Sequence, residues 1–244
     1  MKRIEILFEN AHCLVLNKPA GLAVQGGEGV ENSLDRILEA EFSPRPLLVH
    51  RLDKDTSGLI LAAKNREAAA RFSALFAGRG GLTARGPSAR TPGMRKLYLA
   101  VCAGCPQPAG GIIRLNLEVR GGSREAETGY RVLGSLPLPG GGSCSRLELE
   151  LGTGRTHQIR RHLARIGHPV LGDDKYGDFA LNKALRKNPG LKRLLLHAFR
   201  LYIPESLAGF PGGIDISAPP PEYFAPFGPL PCAIDHFFTL DSLR

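Results

Sequence analysis

Apolar residues fall in short blocks along this chain rather than in long periodic runs. Residues 4–8 and 13–16 predict two strands joined by a polar turn, and Lys18-Pro19-Ala20-Gly21 follows as a tight turn. Leu34, Ile37 and Leu38, spaced i, i+3, i+4 behind Ser33, predict a helix capped by that serine. A second helix is expected over 66–76 with Phe72, Leu75 and Phe76 inward. Leu47-Leu48-Val49 and Leu59-Ile60-Leu61 predict strands on either side of a polar stretch, and 96–103, 112–120, 127–133, 146–151, 193–203 and 214–217 predict further strands. After the strand ending at Leu151, Ile159, Leu163 and Ile166 form the buried stripe of a third helix, with Thr156 expected as its cap and Gly167 as its stop. Strands and helices do not alternate regularly, so the expected class is α+β: a central mixed, mainly antiparallel sheet with a few flanking helices.

Charge adds a partner class. The 244 residues carry a formal net charge of +9, which favours a polyanion such as nucleic acid. Residues 78–95 contain Arg79, Arg85, Arg90 and Arg95 and no acidic residue, and predict a basic flexible loop inserted into one domain spanning 1–244; a solvated linker and an RNA clamp fit it equally. Five scattered cysteines suit a reducing, cytoplasmic setting, and the Cys102/Cys105 pair has no second pair to complete a zinc site. The apolar start is broken by Glu5 and Glu9, which fits neither a secretory signal nor a membrane span.

Two stretches concentrate chemistry. His50-Arg51-Leu52-Asp53-Lys54-Asp55-Thr56-Ser57-Gly58 places carboxylates, hydroxyls and a turn glycine between two strands, a position that suits catalysis as well as a plain Asx turn. Gly154-Arg155-Thr156-His157-Gln158-Ile159-Arg160-Arg161-His162-Leu163 opens the third helix, leaving Arg155, Arg160, Arg161 and Arg165 to point outward or toward a cleft. No acid occurs between Arg155 and His168, so this helix repels itself unless anions lie nearby. His157 and His162 lack the spacing and carboxylate of a helical metal site, and His197 is expected as a hydrogen-bonded core residue. Asp53-Lys54-Asp55 also has the DxD form of haloacid-dehalogenase-type phosphotransferases, for which Gly172-Asp173 and Asp178 would supply the later magnesium-binding acids. His50 and Arg51 interrupt the apolar strand that such a nucleophile follows. An aspartic-protease reading fares worse, because Asp55-Thr56-Ser57-Gly58 inserts a residue into the Asp-Thr-Gly turn and no second copy occurs.

HRLDKDTSG, the strand Lys96-Leu97-Tyr98-Leu99-Ala100, GRTHQIRRHL at 154–163, His168-Pro169 with Gly172-Asp173, and Leu196-His197-Ala198 occur in an order that resembles the RluA-type RNA pseudouridine synthases. The Lys18 turn extends the likeness toward the start of the chain. The resemblance implies the pseudouridine synthase fold with a catalytic cleft along the middle of its sheet, and isomerisation of uridine in RNA to pseudouridine without a cofactor or metal. By position it implies Asp53 as the catalytic aspartate, acting as nucleophile at C1′ or as a base toward the sugar, with Arg160 pairing with it and keeping it ionised. It further implies Tyr98 against the uracil face, Leu196 as an apolar pocket wall, and Arg51 in the gap left by the extruded nucleotide. Arg155 and Arg161 are expected to bind substrate phosphates. Val24-Gln25-Gly26-Gly27, Tyr176-Gly177-Asp178 and Leu191-Lys192-Arg193-Leu194 look most like the branch that modifies large-subunit ribosomal RNA, although Gln25 departs from it. The expectation is a monomer with no preceding S4-type domain, acting on 23S rRNA or alternatively on tRNA; a catalytically silent RNA-binding protein is the rival from another class.

Overall fold

The computed structural model describes residues 4–27, 30–78, 93–119, 121–187 and 191–229. In chain order these form β1 (Glu5–Glu9), β2 (Cys13–Lys18), α1 (Leu34–Glu41), β3 (Leu47–Leu48), β4 (Ser57–Ala63), α2 (Arg66–Phe76), β5 (Arg95–Ala103), β6 (Gly110–Val119), β7 (Gly122–Pro137) and β8 (Ser143–Leu151). There follow α3 (Gln158–Arg165), α4 (Phe179–Lys187), β9 (Leu196–Ile203), α5 (Glu205–Ala208), β10 (Ile214–Ser217) and a 3-10 turn at Glu222–Phe227. This is the α+β class that the apolar blocks predict. The basic loop expected at 78–95 lies, over 79–92, outside the described residues. No helix among the described residues is long and apolar enough to cross a membrane.

The chain divides into two compact units, Ala198–Ala218 with the chain up to Lys96, and Leu97–His197 with the chain from Pro219. In the first, the strand order is β1-β2-β4-β9, with β3 added to β4 and β10 to β9. β2 and β4 pair antiparallel from Cys13↔Ala63 to Lys18↔Gly58. Every residue of β4 is buried, as an apolar run without polar alternation requires of a strand covered on both faces. Helix α1 buries Leu34, Ile37 and Leu38 as predicted, although the Ser33 hydroxyl bonds Asp35 rather than a helix N–H. Helix α2 keeps its predicted bounds and is capped by Asn65, whose side chain accepts the Ala68 N–H at 2.9 Å. It buries Phe72 and Leu75, while Phe76 is only half-buried.

In the second unit β5, β8, β7 and β6 form an antiparallel run in that order. β7 begins at Gly122, well before the predicted 127, because its polar first half is held by pairing with β6 up to Val119↔Gly122 rather than by apolar burial. Ile159 and Leu163 of α3 pack into a core with Ile113, Tyr130, Leu147 and Leu149, and Ile166 lies against it, which completes the predicted stripe. The predicted Thr156 cap is incorrect. His157 occupies the N-cap position in a left-handed conformation (φ 53°), and no side chain caps the helix. Gly167, at φ 81°, ends it as expected. Helix α4 has no counterpart in the predicted elements.

Candidate active site

The β2–β4 register decides what lies beside Asp53. With Lys18 opposite Gly58, the turn leaving β2 and the loop entering β4 become neighbours. Lys18 is fully buried, and its Nζ donates to the carbonyls of Pro19 (3.0 Å), Leu22 (2.8 Å) and Lys54 (2.9 Å), which uses all three ammonium donors. The Gly21 N–H donates to the same Lys54 carbonyl at 2.9 Å, and the Thr56 N–H closes a turn on the Asp53 carbonyl at 3.2 Å. Burial pushes the Lys18 ammonium down to about 8, while the charges of Asp55 and Asp53 work to keep its proton. Asp55 therefore acts on this loop through its charge.

His50 anchors the loop from its other end. The Leu61 N–H donates to His50 Nε2 at 2.9 Å, so that nitrogen carries no proton. The ring stacks on Phe76 with centroids 3.8 Å apart, and Lys96 Nζ lies 6.0 Å from the Phe76 centroid. Burial, reinforced by the Lys96 charge, pushes His50 down to about 3, in keeping with a neutral acceptor. On β4, Gly58 has φ 104°, and a Cβ there would overlap the Ala198 carbonyl. Between these anchors Arg51 is exposed and Asp53 is half-buried.

In the second unit Arg160, expected to point outward or toward a cleft, is turned inward. It is 4% exposed, and its Nε and Nη2 each donate to an Asp173 oxygen at 2.7 Å, with Nη2 also reaching Asp174 at 3.0 Å. The anions needed by this basic helix thus come from the chain itself, beyond its C-terminal end. Asp173 is fully buried and also accepts the Lys175 and Tyr176 N–H groups, each at 2.9 Å. Burial by itself would raise its carboxyl, but the Arg160 bonds and these backbone donors outweigh that and hold it below the usual range. With both oxygens so engaged, Asp173 does not suit the magnesium-binding role of the phosphotransferase alternative. The Arg160 guanidinium carbon also lies 5.4 Å from the centroid of Tyr176, whose hydroxyl is 3.1 Å from His157 Nδ1.

Gln158 organises the turn before α3. Its Nε2 donates to the Glu127 carbonyl (2.8 Å) and Thr128 Oγ1 (2.9 Å), while its Oε1 accepts from Thr153 Oγ1 (2.6 Å) and the Arg155 N–H (3.0 Å). Arg155 is exposed at the tip of this turn. Arg161 is half-buried and donates through Nη1 to the Glu118 carbonyl at 2.9 Å. Tyr98 and Leu196 share one apolar cluster, Leu196 buried within it and Tyr98 packed against it. His197 is fully buried edge-on to Phe224, with centroids 6.2 Å apart. Lys18, His50, Gln158 and Tyr176 received no site role from the sequence, and Asp173 only that of a magnesium-binding acid in the phosphotransferase alternative. For Asp173 the available signal was a surplus of arginines on one helix facing the next acidic pair along the chain.

This chain is similar to known proteins. The mitochondrial RNA pseudouridine synthase 4 of Arabidopsis thaliana is 36% identical over 196 residues, which cover 70% of this chain and 40% of that protein. The ribosomal large subunit pseudouridine synthase C of Rickettsia typhi is 34% identical over 237 residues, covering 90% of this chain and 69% of the relative. The chain thus spans less than half the length of the Arabidopsis relative and about two thirds of the Rickettsia one. The solved structure of human RNA pseudouridylate synthase domain containing 4 superposes with a TM-score of 0.70 at 25% identity, covering 91% of this chain and 90% of that one. Residues 12–165 match the RNA pseudouridylate synthase family, and with these relatives they show that the chain belongs to it.

Proposed function

We propose that this protein isomerises uridine to pseudouridine in RNA, with Asp53 as the catalytic aspartate and large-subunit ribosomal RNA as the substrate. Family membership supports the reaction, and the name of the Rickettsia relative supports the choice of RNA. The observation that carries the assignment to Asp53 is the anchoring of its turn: the next carbonyl, that of Lys54, is held by Lys18 Nζ and the Gly21 N–H. A reacting group gains from such rigidity because misplacement by about 1 Å can cost about 100-fold in rate.

The carboxylate opens the C1′–N1 bond, the detached uracil turns while bound, and C5 joins C1′. The C5 proton passes to solvent and N1 recovers a proton, so atoms and electrons balance without a redox partner. Tyr98 and Arg160 keep the roles that the family resemblance implies. Extruding the target nucleotide costs a few kcal/mol, which cationic contacts from Arg51, Arg155 and Arg161 to flanking phosphates offset. Release of tritium from 5-³H-uridine-labelled ribosomal RNA tests the reaction, and mapping pseudouridines with and without the gene tests the substrate. Tritium release from transfer RNA but not ribosomal RNA would reject the proposed target while keeping the reaction.

A further inference from the structure

Helix α4 presents a surface that the proposed chemistry leaves unused. Its inner side is firmly mounted: Leu185 and Asn182 are buried, Asn182 Oδ1 accepts the Gly172 N–H at 2.9 Å, and Asn182 Nδ2 donates to the Asp173 carbonyl at 3.0 Å. On its outer side Phe179 is 62% exposed, the most exposed large apolar side chain among the described residues. Lys183, Arg186 and Lys187 are exposed on the same helix. At 1.5 Å per residue they lie about 6 Å and about 11–12 Å along the axis from Phe179, within the i+4, i+7 and i+8 positions that share a face. No acidic residue occurs within α4, and Asp178, just before it, uses its carboxylate to accept the Leu181 N–H at 2.9 Å.

A single exposed apolar side chain is ordinary on a protein surface. A phenyl ring at the head of a row of cations on a rigid helix is a more specific arrangement. It matches the chemistry of a single nucleic-acid strand, whose bases stack on aromatic faces while its phosphates meet lysine and arginine. An acidic peptide would satisfy the cations and leave the ring without a partner. We infer that this face of α4 docks an unpaired stretch of the RNA substrate, with Phe179 stacking on a base and Lys183, Arg186 and Lys187 meeting phosphates. The inference rests on the proposed action on RNA and adds a contact to it.

The chain has no tryptophan, so Phe179→Trp introduces a sole indole reporter at the platform. Oligoadenylate, which is single-stranded and contains no uridine, is expected to quench its emission, whereas a blunt RNA duplex and heparin leave it unchanged. Phe179→Ala should raise the oligoadenylate Kd at least about fivefold, with Phe179→Tyr restoring it. Replacing Lys183, Arg186 and Lys187 together by alanine should lower the log–log salt slope by about 2. Failure of oligoadenylate to quench, equal quenching by heparin, or an unchanged Kd in Phe179→Ala overturns the inference. Asp53→Asn in the Phe179→Trp background separates the two claims, since it should abolish tritium release and leave the quench intact. Tritium release that persists there contradicts the proposed role of Asp53 and leaves the platform standing.

Discussion

Replacing Asp173 by asparagine tests how much of the second unit depends on the ion pair beneath α3. The carboxylate takes four donors: Arg160 Nε on Oδ2, and Arg160 Nη2 with the Lys175 and Tyr176 N–H groups on Oδ1. Asparagine oriented to keep its oxygen at Oδ1 preserves those three bonds but turns an NH₂ group toward Arg160 Nε, donor against donor. One charge-assisted bond is lost from a buried guanidinium, and the Asp174 carboxylate that it also reaches is 71% exposed. Removing one partner of a buried pair costs about 3–5 kcal/mol, a large part of a total stability of about 5–15 kcal/mol. Urea denaturation followed by circular dichroism should show a lower midpoint at an unchanged slope. Asp174→Asn is the internal control and should cost at most about 1 kcal/mol, since it removes the exposed partner. Joint replacement of Arg160 by methionine and Asp173 by leucine should recover part of the loss, because no unpaired charge then remains buried. A cost below about 1 kcal/mol for Asp173→Asn would refute the view that this pair anchors Arg160.

Three further expectations concern the anchors. Gly58→Ala combines a left-handed backbone (φ 104°) with overlap onto the Ala198 carbonyl; it should cost about 3 kcal/mol or more, and a melting temperature equal to the parent would contradict it. Lys18→Met removes the shared Nζ donor from the carbonyls of Pro19, Leu22 and Lys54, of which Lys54 keeps the Gly21 N–H, so it should destabilise by about 1–3 kcal/mol and lower kcat in the protein that remains folded; undiminished kcat would remove Lys18 from the support of Asp53. His162 is fully buried, and its burial, with the Arg161 charge, outweighs a backbone contact to Leu115 and pushes it down to about 4. The unfolded chain therefore takes up this proton near its ordinary value of about 6.5 and the folded chain only near 4, so stability falls as pH drops through that window, by on the order of 2–3 kcal/mol. His162→Leu should flatten the decline in melting temperature between pH 7 and 5, with His50 supplying what remains; an unchanged pH profile would reject the assignment.

Elements whose stability comes from a local apolar pattern were legible in the sequence. Leu34, Ile37 and Leu38 mark α1, and the run Leu59-Ile60-Leu61 marks the buried β4. Features set by distant partners were not. The polar first half of β7 is a strand because β6 pairs with it, and α4 buries only Leu185 and the polar Asn182, too little for a stripe. Thr156 has the right chemistry for a cap, but Gln158 reaches back to the Glu127 carbonyl and Thr128 and fixes a different turn. The partner of Arg160 was hidden for the same reason, since Asp173 lies thirteen positions farther along the chain and comes close only through folding. The residue types of the candidate site were readable through the family likeness. Their support by Lys18 required knowing that Lys18 faces Gly58 across β2 and β4.

The central claim, that Asp53 carries uridine isomerisation, is tested most directly by tritium release in EDTA. The substrate is large-subunit ribosomal RNA transcribed with 5-³H-uridine, compared between the parent protein and Asp53→Asn. The account predicts release by the parent and a loss of at least about 100-fold in the variant, with RNA binding retained. Undiminished release by Asp53→Asn, or none by the folded, RNA-binding parent, would contradict it.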